Sequence, residues 1–234
     1  MPEERKDFKR PPKKHQPRGM SILYEDEDII VVNKVSGLLT MGHENEKENT
    51  AYCILNNYVR KGNQKSRNRV FIVHRLDRDT SGVLIFAKSE KAKRHLQDEW
   101  QNFKKTYLVI VHGLLKVKER IITSYLAENN MHQMYSVDDP KEGKLAKTGY
   151  KVLREAKKFS LLEVDLLTGR KNQIRVHLSE AGCPVVGDKK YGGKRKGGKG
   201  LALHSESFTF THPHTKKELT FQTDSPDYFK LLVY

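Results

Sequence analysis

Val70-Phe71-Ile72-Val73-His74-Arg75-Leu76-Asp77-Arg78-Asp79-Thr80-Ser81-Gly82-Val83-Leu84-Ile85-Phe86-Ala87 is the stretch that sets the fold. Two short apolar runs, 70–73 and 83–87, flank a polar turn, the pattern of two buried strands joined by a loop. That loop carries one carboxylate, Asp77, between Arg75 and Arg78. A loop tied at both ends to buried strands is held rigidly, as a reacting group requires. Positive charge on either side favours the ionised form of a carboxylate, and an ionised, positioned carboxylate can act as nucleophile or base. The same residues also suit an ordinary surface turn, since Asp, Thr, Ser and Gly are common turn formers. The rest of the chain has to decide.

Bulk properties narrow the choice. A chain of 234 residues has room for one substantial core. No apolar run is long enough to span a bilayer and no signal-peptide stretch opens the chain, so a cytoplasmic protein is expected. The two cysteines, Cys53 and Cys183, have no CxxC partner, which argues against a disulfide framework and a zinc site. Forty-four Lys and Arg against 29 Asp and Glu give a net charge of +15, which points to a polyanion, nucleic acid ahead of acidic membrane. The excess is clustered. Residues 1–20 carry Arg5, Lys6, Lys9, Arg10, Lys13, Lys14 and Arg18 among prolines, which predicts a disordered basic tail before a domain over 21–234. Residues 189–199 set Lys189, Lys190, Lys194, Arg195, Lys196 and Lys199 among glycines, and residues 60–69 form a third cluster. Three basic loops favour phosphate contacts.

Elsewhere, 22–24 and 29–33 bracket an acidic turn and predict a hairpin. Apolar spacing predicts a helix over 50–60 with Thr50 as N-cap, and another from Ser89 to about Phe103. Strands are predicted at 105–112, 147–154, 158–167, 201–203, 207–210 and 218–221. A helix follows the turn at 168–172, with Asn172 as its N-cap and Gly182 as its stop. Strands that pair locally, with few helices, make this α+β: a central mixed, largely antiparallel sheet flanked by helices and loops. His212-Pro213-His214 has no third ligand nearby and reads as a strand-edge turn rather than a metal site.

Two segments bear on Asp77. Tyr107, in the 105–112 strand, is either a core aromatic or a hydroxyl facing a site, and periodicity favours core. Arg175 lies in a helix's first turn beside buried Ile174, where an arginine needs a carboxylate partner, and Asp77 is a candidate.

His74-Arg75-Leu76-Asp77-x-x-Thr80-Ser81-Gly82 resembles the signature of the RluA family of RNA pseudouridine synthases. Companion segments match in order: 29–34 with Gly37; Lys105-Thr106-Tyr107 to Gly113; Gly169-Arg170 with 173–178; 184–188 with Tyr191-Gly192; and 201–204. Val35 stands where the family usually has proline, and Lys171-Asn172-Gln173 where it often has Thr-His-Gln. The resemblance implies the family's catalytic domain without an S4 domain. It implies an isomerase that breaks the uridine N1–C1′ bond and rejoins the base through C5, with no metal or cofactor. By resemblance Asp77 is the essential carboxylate, attacking C1′ or C6 or removing a ribose proton, while Arg175 aims it. Tyr107 stacks on the uracil and takes part in removing the C5 proton. Arg75 fills the place of the flipped base. With His74, Arg78, Lys34, Arg170, Lys189, Lys190 and Lys194 it would bind RNA, tRNA or rRNA, in a monomeric enzyme. The rival is a catalytically idle RNA-binding or ribosome-associated protein, which leaves the Asp–Tyr–Arg set unexplained. A haloacid-dehalogenase phosphatase is set aside, because Thr80 directly follows Asp79 and His74-Arg75 precede Asp77.

Overall fold

The computed structural model describes residues 11–12, 15–42, 46, 48–63, 65–193 and 200–233. In chain order the elements are β1 (Met20–Glu25), β2 (Ile29–Lys34), α1 (Ala51–Arg60), β3 (Phe71–Ile72), β4 (Ser81–Ala87), α2 (Glu90–Asp98), β5 (Lys104–His112), β6 (Glu119–Glu128), β7 (Met134–Val137), β8 (Lys144–Ala156), β9 (Phe159–Leu166), α3 (Gln173–Glu180), β10 (Leu203–Thr211), β11 (Glu218–Gln222) and α4 (Tyr228–Val233). The strands form one sheet in the order β1-β2-β4-β10-β5-β9-β8-β6-β7, with β11 on β10 and β3 on β4. Every pairing is antiparallel except β4 with β10, so the sheet is mixed and largely antiparallel, as the sequence predicts.

Strands β2 and β4 read as near-continuous apolar runs because both of their faces are covered. Ile30, Val32, Leu84 and Phe86 point into the core beneath α1, α3 and α4, while Ile29, Val31, Val83 and Ile85 pack with α2 and the aromatics Phe103, Phe208 and Phe210. Thr50 and Ser89 cap α1 and α2, their hydroxyls accepting from the N–H groups of Cys53 and Ala92, each at 3.1 Å. Helix α2 stops at Asp98 rather than near Phe103, and a 3-10 turn, Trp100–Asn102, carries the chain to β5.

The predicted disordered tail falls largely outside the described residues, but its last part is anchored. Pro17 is buried, and Gln16 accepts a hydrogen bond from Ile22 N–H at 2.7 Å. The separate strands predicted at 201–203 and 207–210 are replaced by one, β10, bulged between Ser205 and Ser207. His212 sits in the β10–β11 turn, donating from Nε2 to Asp26 at 2.7 Å and accepting the N–H groups of His214 and Thr215 at Nδ1. Among the described residues no helix is long and apolar enough to cross a membrane.

The β4–β10 contact places the site. The two strands pair in parallel only at His204 with Ser81 and Ser205 with Gly82, while β3 takes over the same edge of β4 farther along. Residues 73–80 therefore leave the sheet where it splits. Gly82 has φ +110°, and a Cβ there would lie 2.1 Å from the Ser205 carbonyl oxygen, so only glycine lets the strands meet.

Candidate active site

The loop carrying Asp77 is pinned by the segment that follows β2. Thr40 Oγ1 accepts from Leu76 N–H at 3.1 Å and donates to Leu76 C=O at 2.8 Å. Ser36 donates to Asp79 C=O at 2.8 Å, and Gly37 N–H donates to Arg78 C=O at 2.9 Å. Lys34 completes the clamp: its Nζ donates to the carbonyls of Val35, Leu38 and Arg78 at 3.0, 2.7 and 3.0 Å. This corrects the assignment of Lys34 to RNA. The side chain is fully buried and its three N–H bonds are spent on backbone, so none reaches a phosphate. Burial brings its ammonium down to about 8, against the pull of Asp79 and Asp77.

Asp77 meets Arg175 from the other side of the split. Arg175, in the first turn of α3, donates from NH1 to Asp77 Oδ2 at 2.9 Å. The predicted pairing is present, but it is the lesser half of the arginine's engagement. Nε and NH2 donate to Oδ2 and Oδ1 of Asp188, both at 2.7 Å, a two-pronged bond to a carboxylate with no side-chain exposure. Burial alone would raise the Asp188 carboxyl, yet the Arg175 bonds hold it below the usual range, helped by the N–H groups of Tyr191 and Lys190. The Tyr191 ring lies 5.1 Å from the guanidinium carbon and closes its remaining side. Asp188 is thus the anchor of Arg175, and sequence reasoning passed over it. The available signal was an arginine beside a buried face, which called for a carboxylate with no other task.

A second donor to Asp77 overturns the capping role read for Asn172. The residue stands at the start of α3, but in the left-handed region (φ 54°) and without a side-chain cap bond. Its Nδ2 donates instead to Asp77 Oδ2 at 3.1 Å. Asparagine tolerates this conformation better than most residues. Asp77 Oδ2 therefore holds both bonds, while among the described residues no group donates to Oδ1. Since the Asp77 side chain is 28% exposed and lines the cavity, Oδ1 is the oxygen left open to it.

Tyr107 is both things the sequence left open, a core aromatic at 7% exposure and a wall of the Asp77 cavity. Burial pushes its phenol up to about 12, with a hydrogen bond to Ser205 acting the other way. At neutral pH it is a neutral phenol, suited to stacking or donating a hydrogen bond and not to acting as a phenolate base.

His74, read as an RNA contact, has a structural task. Its Nε2 accepts Ile85 N–H at 3.2 Å, and its ring stacks on Phe208 (5.4 Å, 12°) and tilts against Trp100 (4.8 Å). Burial, with the nearby Lys105 charge, pushes it down to about 3. Unfolded chains take up this proton near pH 6.5 and the folded protein does not. Stability should therefore fall as pH drops from about 6.5 toward 3, by up to about 1.4 kcal/mol per pH unit from this residue. Urea midpoints at pH 7 and pH 5 check this: H74Q should lose less than the parent, and an equal loss in both contradicts it.

Arg75 and Arg78 are exposed, Arg75 on the cavity rim and Arg78 paired with Glu46. Arg170 lines the same cavity, its Nε donating to Leu145 C=O at 2.9 Å. Lys189 and Lys190 are exposed beside Asp188, and Lys190 donates to His132 C=O. Lys194 lies outside the described residues. Next to the Asp77 pocket a cleft of about 470 Å³ extends between Arg75, Trp100, Gln101 and Arg170. Among the described residues the cavity is thus basic at its rim, carboxylate-bearing at its floor and walled by an aromatic ring. Such a lining suits a planar group attached to a phosphate chain.

Comparison with known proteins gives this architecture its place. Residues 28–180 match the family model described as RNA pseudouridylate synthase, and the chain belongs to that family. It is 38% identical over 209 residues to the uncharacterized RNA pseudouridine synthase MG209 of Mycoplasma genitalium, covering 86% of this chain and 65% of that protein. It is 31% identical over 207 residues to the ribosomal large subunit pseudouridine synthase C of Vibrio vulnificus, covering 85% of this chain and 63% of that one. This chain therefore spans slightly less than two thirds of both relatives. The structure of human RNA pseudouridylate synthase domain containing 4 shares the fold, with a TM-score of 0.74 at 23% identity over 89% of this chain and 90% of that one.

Proposed function

We propose that this protein isomerises uridine to pseudouridine in RNA, with Asp77 as the reacting carboxylate. The observation carrying this is the asymmetric Asp77: Oδ2 fixed by Arg175 and Asn172, Oδ1 open to a cavity walled by Tyr107. A group held in this way loses little freedom as it reacts. The uridine leaves its stack and enters base first, with Tyr107 against the ring and Arg75 placed to occupy the vacated position. The N1–C1′ bond breaks, the base turns, C5 bonds to C1′, and the C5 proton is released while N1 gains one. The steps are redox-neutral, and attack at C1′ or C6 and ribose deprotonation by Asp77 all fit them. The neutral phenol of Tyr107 moves removal of the C5 proton away from a phenolate.

The substrate is a structured RNA, recognised through a flipped base and phosphate contacts from Arg75, Arg78, Arg170, Lys189 and Lys190. The name of the Vibrio relative supports ribosomal RNA as the first to test, with transfer RNA second. The enzyme acts as a cytoplasmic monomer, its basic residues 1–20 and Lys194 adding phosphate contacts. Pseudouridine mapping of all RNA from cells with and without the gene tests this. One or a few uridines should lose their modification in the deletion, and an unchanged map contradicts the proposal.

A further inference from the structure

A second cleft, of about 570 Å³, lies across the turn at 168–172 from the Asp77 cavity. The cleft of about 470 Å³ beside the Asp77 pocket and this one share that turn, since Gly169, Arg170 and Lys171 line both. The floor of the second is the buried pair Leu126 and Met134, and its outer rim carries Lys141 and Lys144, both exposed. Among the described residues neither rim lysine has a carboxylate within bonding distance. Lys171 is neutralised by Glu128, which leaves Lys141, Lys144 and Arg170 facing one other acidic residue of the lining, Glu142. Arg170 stands at the junction. Its Nε is fixed on the Leu145 carbonyl, and its two terminal nitrogens donate to no described group. A guanidinium held by one edge presents its remaining N–H groups as a preformed fork for phosphate.

We propose that this second cleft binds the RNA strand adjoining the target uridine, with Arg170 holding the phosphate at the crossing and Lys141 and Lys144 the backbone beyond it. This rests on the reading that the Asp77 cavity takes the flipped uridine. Cations around a narrow apolar floor suit a single strand followed by its backbone. The cleft is also coupled to the chemistry. Met134 N–H donates to the Tyr191 hydroxyl at 3.0 Å, and the Tyr191 ring packs on Arg175, which aims Asp77.

The test is the salt dependence of binding of a fluorescent oligouridylate dodecamer, made in an Asp77→Asn background so that no chemistry intervenes. Each phosphate neutralised on a single strand contributes about 0.7 to the slope of log K against log salt. Removing Lys141 and Lys144 together (K141Q/K144Q) should lower the slope by about 1.4. A control pair, K216Q/K217Q, removes equal charge in the β10–β11 turn, at the opposite end of β10 from Ser205, and should leave it unchanged. All four lysines are exposed, so folding is preserved. A slope unchanged in the cleft variant, or lowered equally in both, overturns the proposal. If the parent protein forms no pseudouridine, the isomerase reading fails while the slopes still report on the cleft.

Discussion

Asp77→Asn should lower pseudouridine formation by about 10⁴-fold or more, the scale on which loss of an essential nucleophile or base acts. The substitution keeps size and shape, and Oδ1 of the amide can still accept from Asn172 and Arg175, so the loop clamped by Lys34, Ser36, Gly37 and Thr40 keeps its course. RNA affinity should change less than about threefold, because the phosphate contacts assigned to Arg75, Arg170 and the lysines are untouched. Loss of turnover together with binding would place the residue in RNA recruitment. Retained turnover would remove Asp77 from the chemistry.

The second large effect is on stability. Arg175→Met leaves the Asp188 carboxylate buried with, among the described residues, only the backbone N–H groups of Lys190 and Tyr191 as donors. An unpaired buried charge of this kind costs about 3–5 kcal/mol, visible as a lower urea midpoint with unchanged m-value. The double variant R175M/D188N removes the stranded charge and should recover part of the stability without recovering activity, since Asp77 has lost its aiming bond. A loss below about 1 kcal/mol in Arg175→Met would mean that the Arg175–Asp188 pair is not the anchor described here.

Much of the site was legible in the sequence because loop position and residue chemistry coincide there. Apolar runs with turn residues between them located the Asp77 loop, an arginine beside a buried face made Arg175 a candidate partner, and the resemblance brought Tyr107 to it. What stayed hidden depends on three-dimensional closure. Lys34 looked like a phosphate contact because a lysine is usually exposed, and only the folded chain presents it with three carbonyls. Asn172 looked like a cap because it occupies the capping position, while its side chain answers to a carboxylate 95 residues away. Strands β6 and β7 were missed for another reason. β7 ends the sheet and pairs with β6 only at Tyr125–Glu128, β6 is largely exposed over residues 119–123, and neither carries the apolar alternation that marks a covered strand. Helix α4, six residues long, is too short for a helical period to register.

Attachment of the ribose to C5 displaces the hydrogen that uracil carries there, so release of that hydrogen reports the reaction itself. RNA labelled with tritium at uracil C5, taken from cells lacking the gene, is the fitting substrate. The parent protein should release tritium to water in step with pseudouridine formation, in the presence of chelator, and the D77N protein should release none. Release by both proteins, or by neither while the parent binds the RNA, would contradict the assignment of Asp77 as the reacting carboxylate.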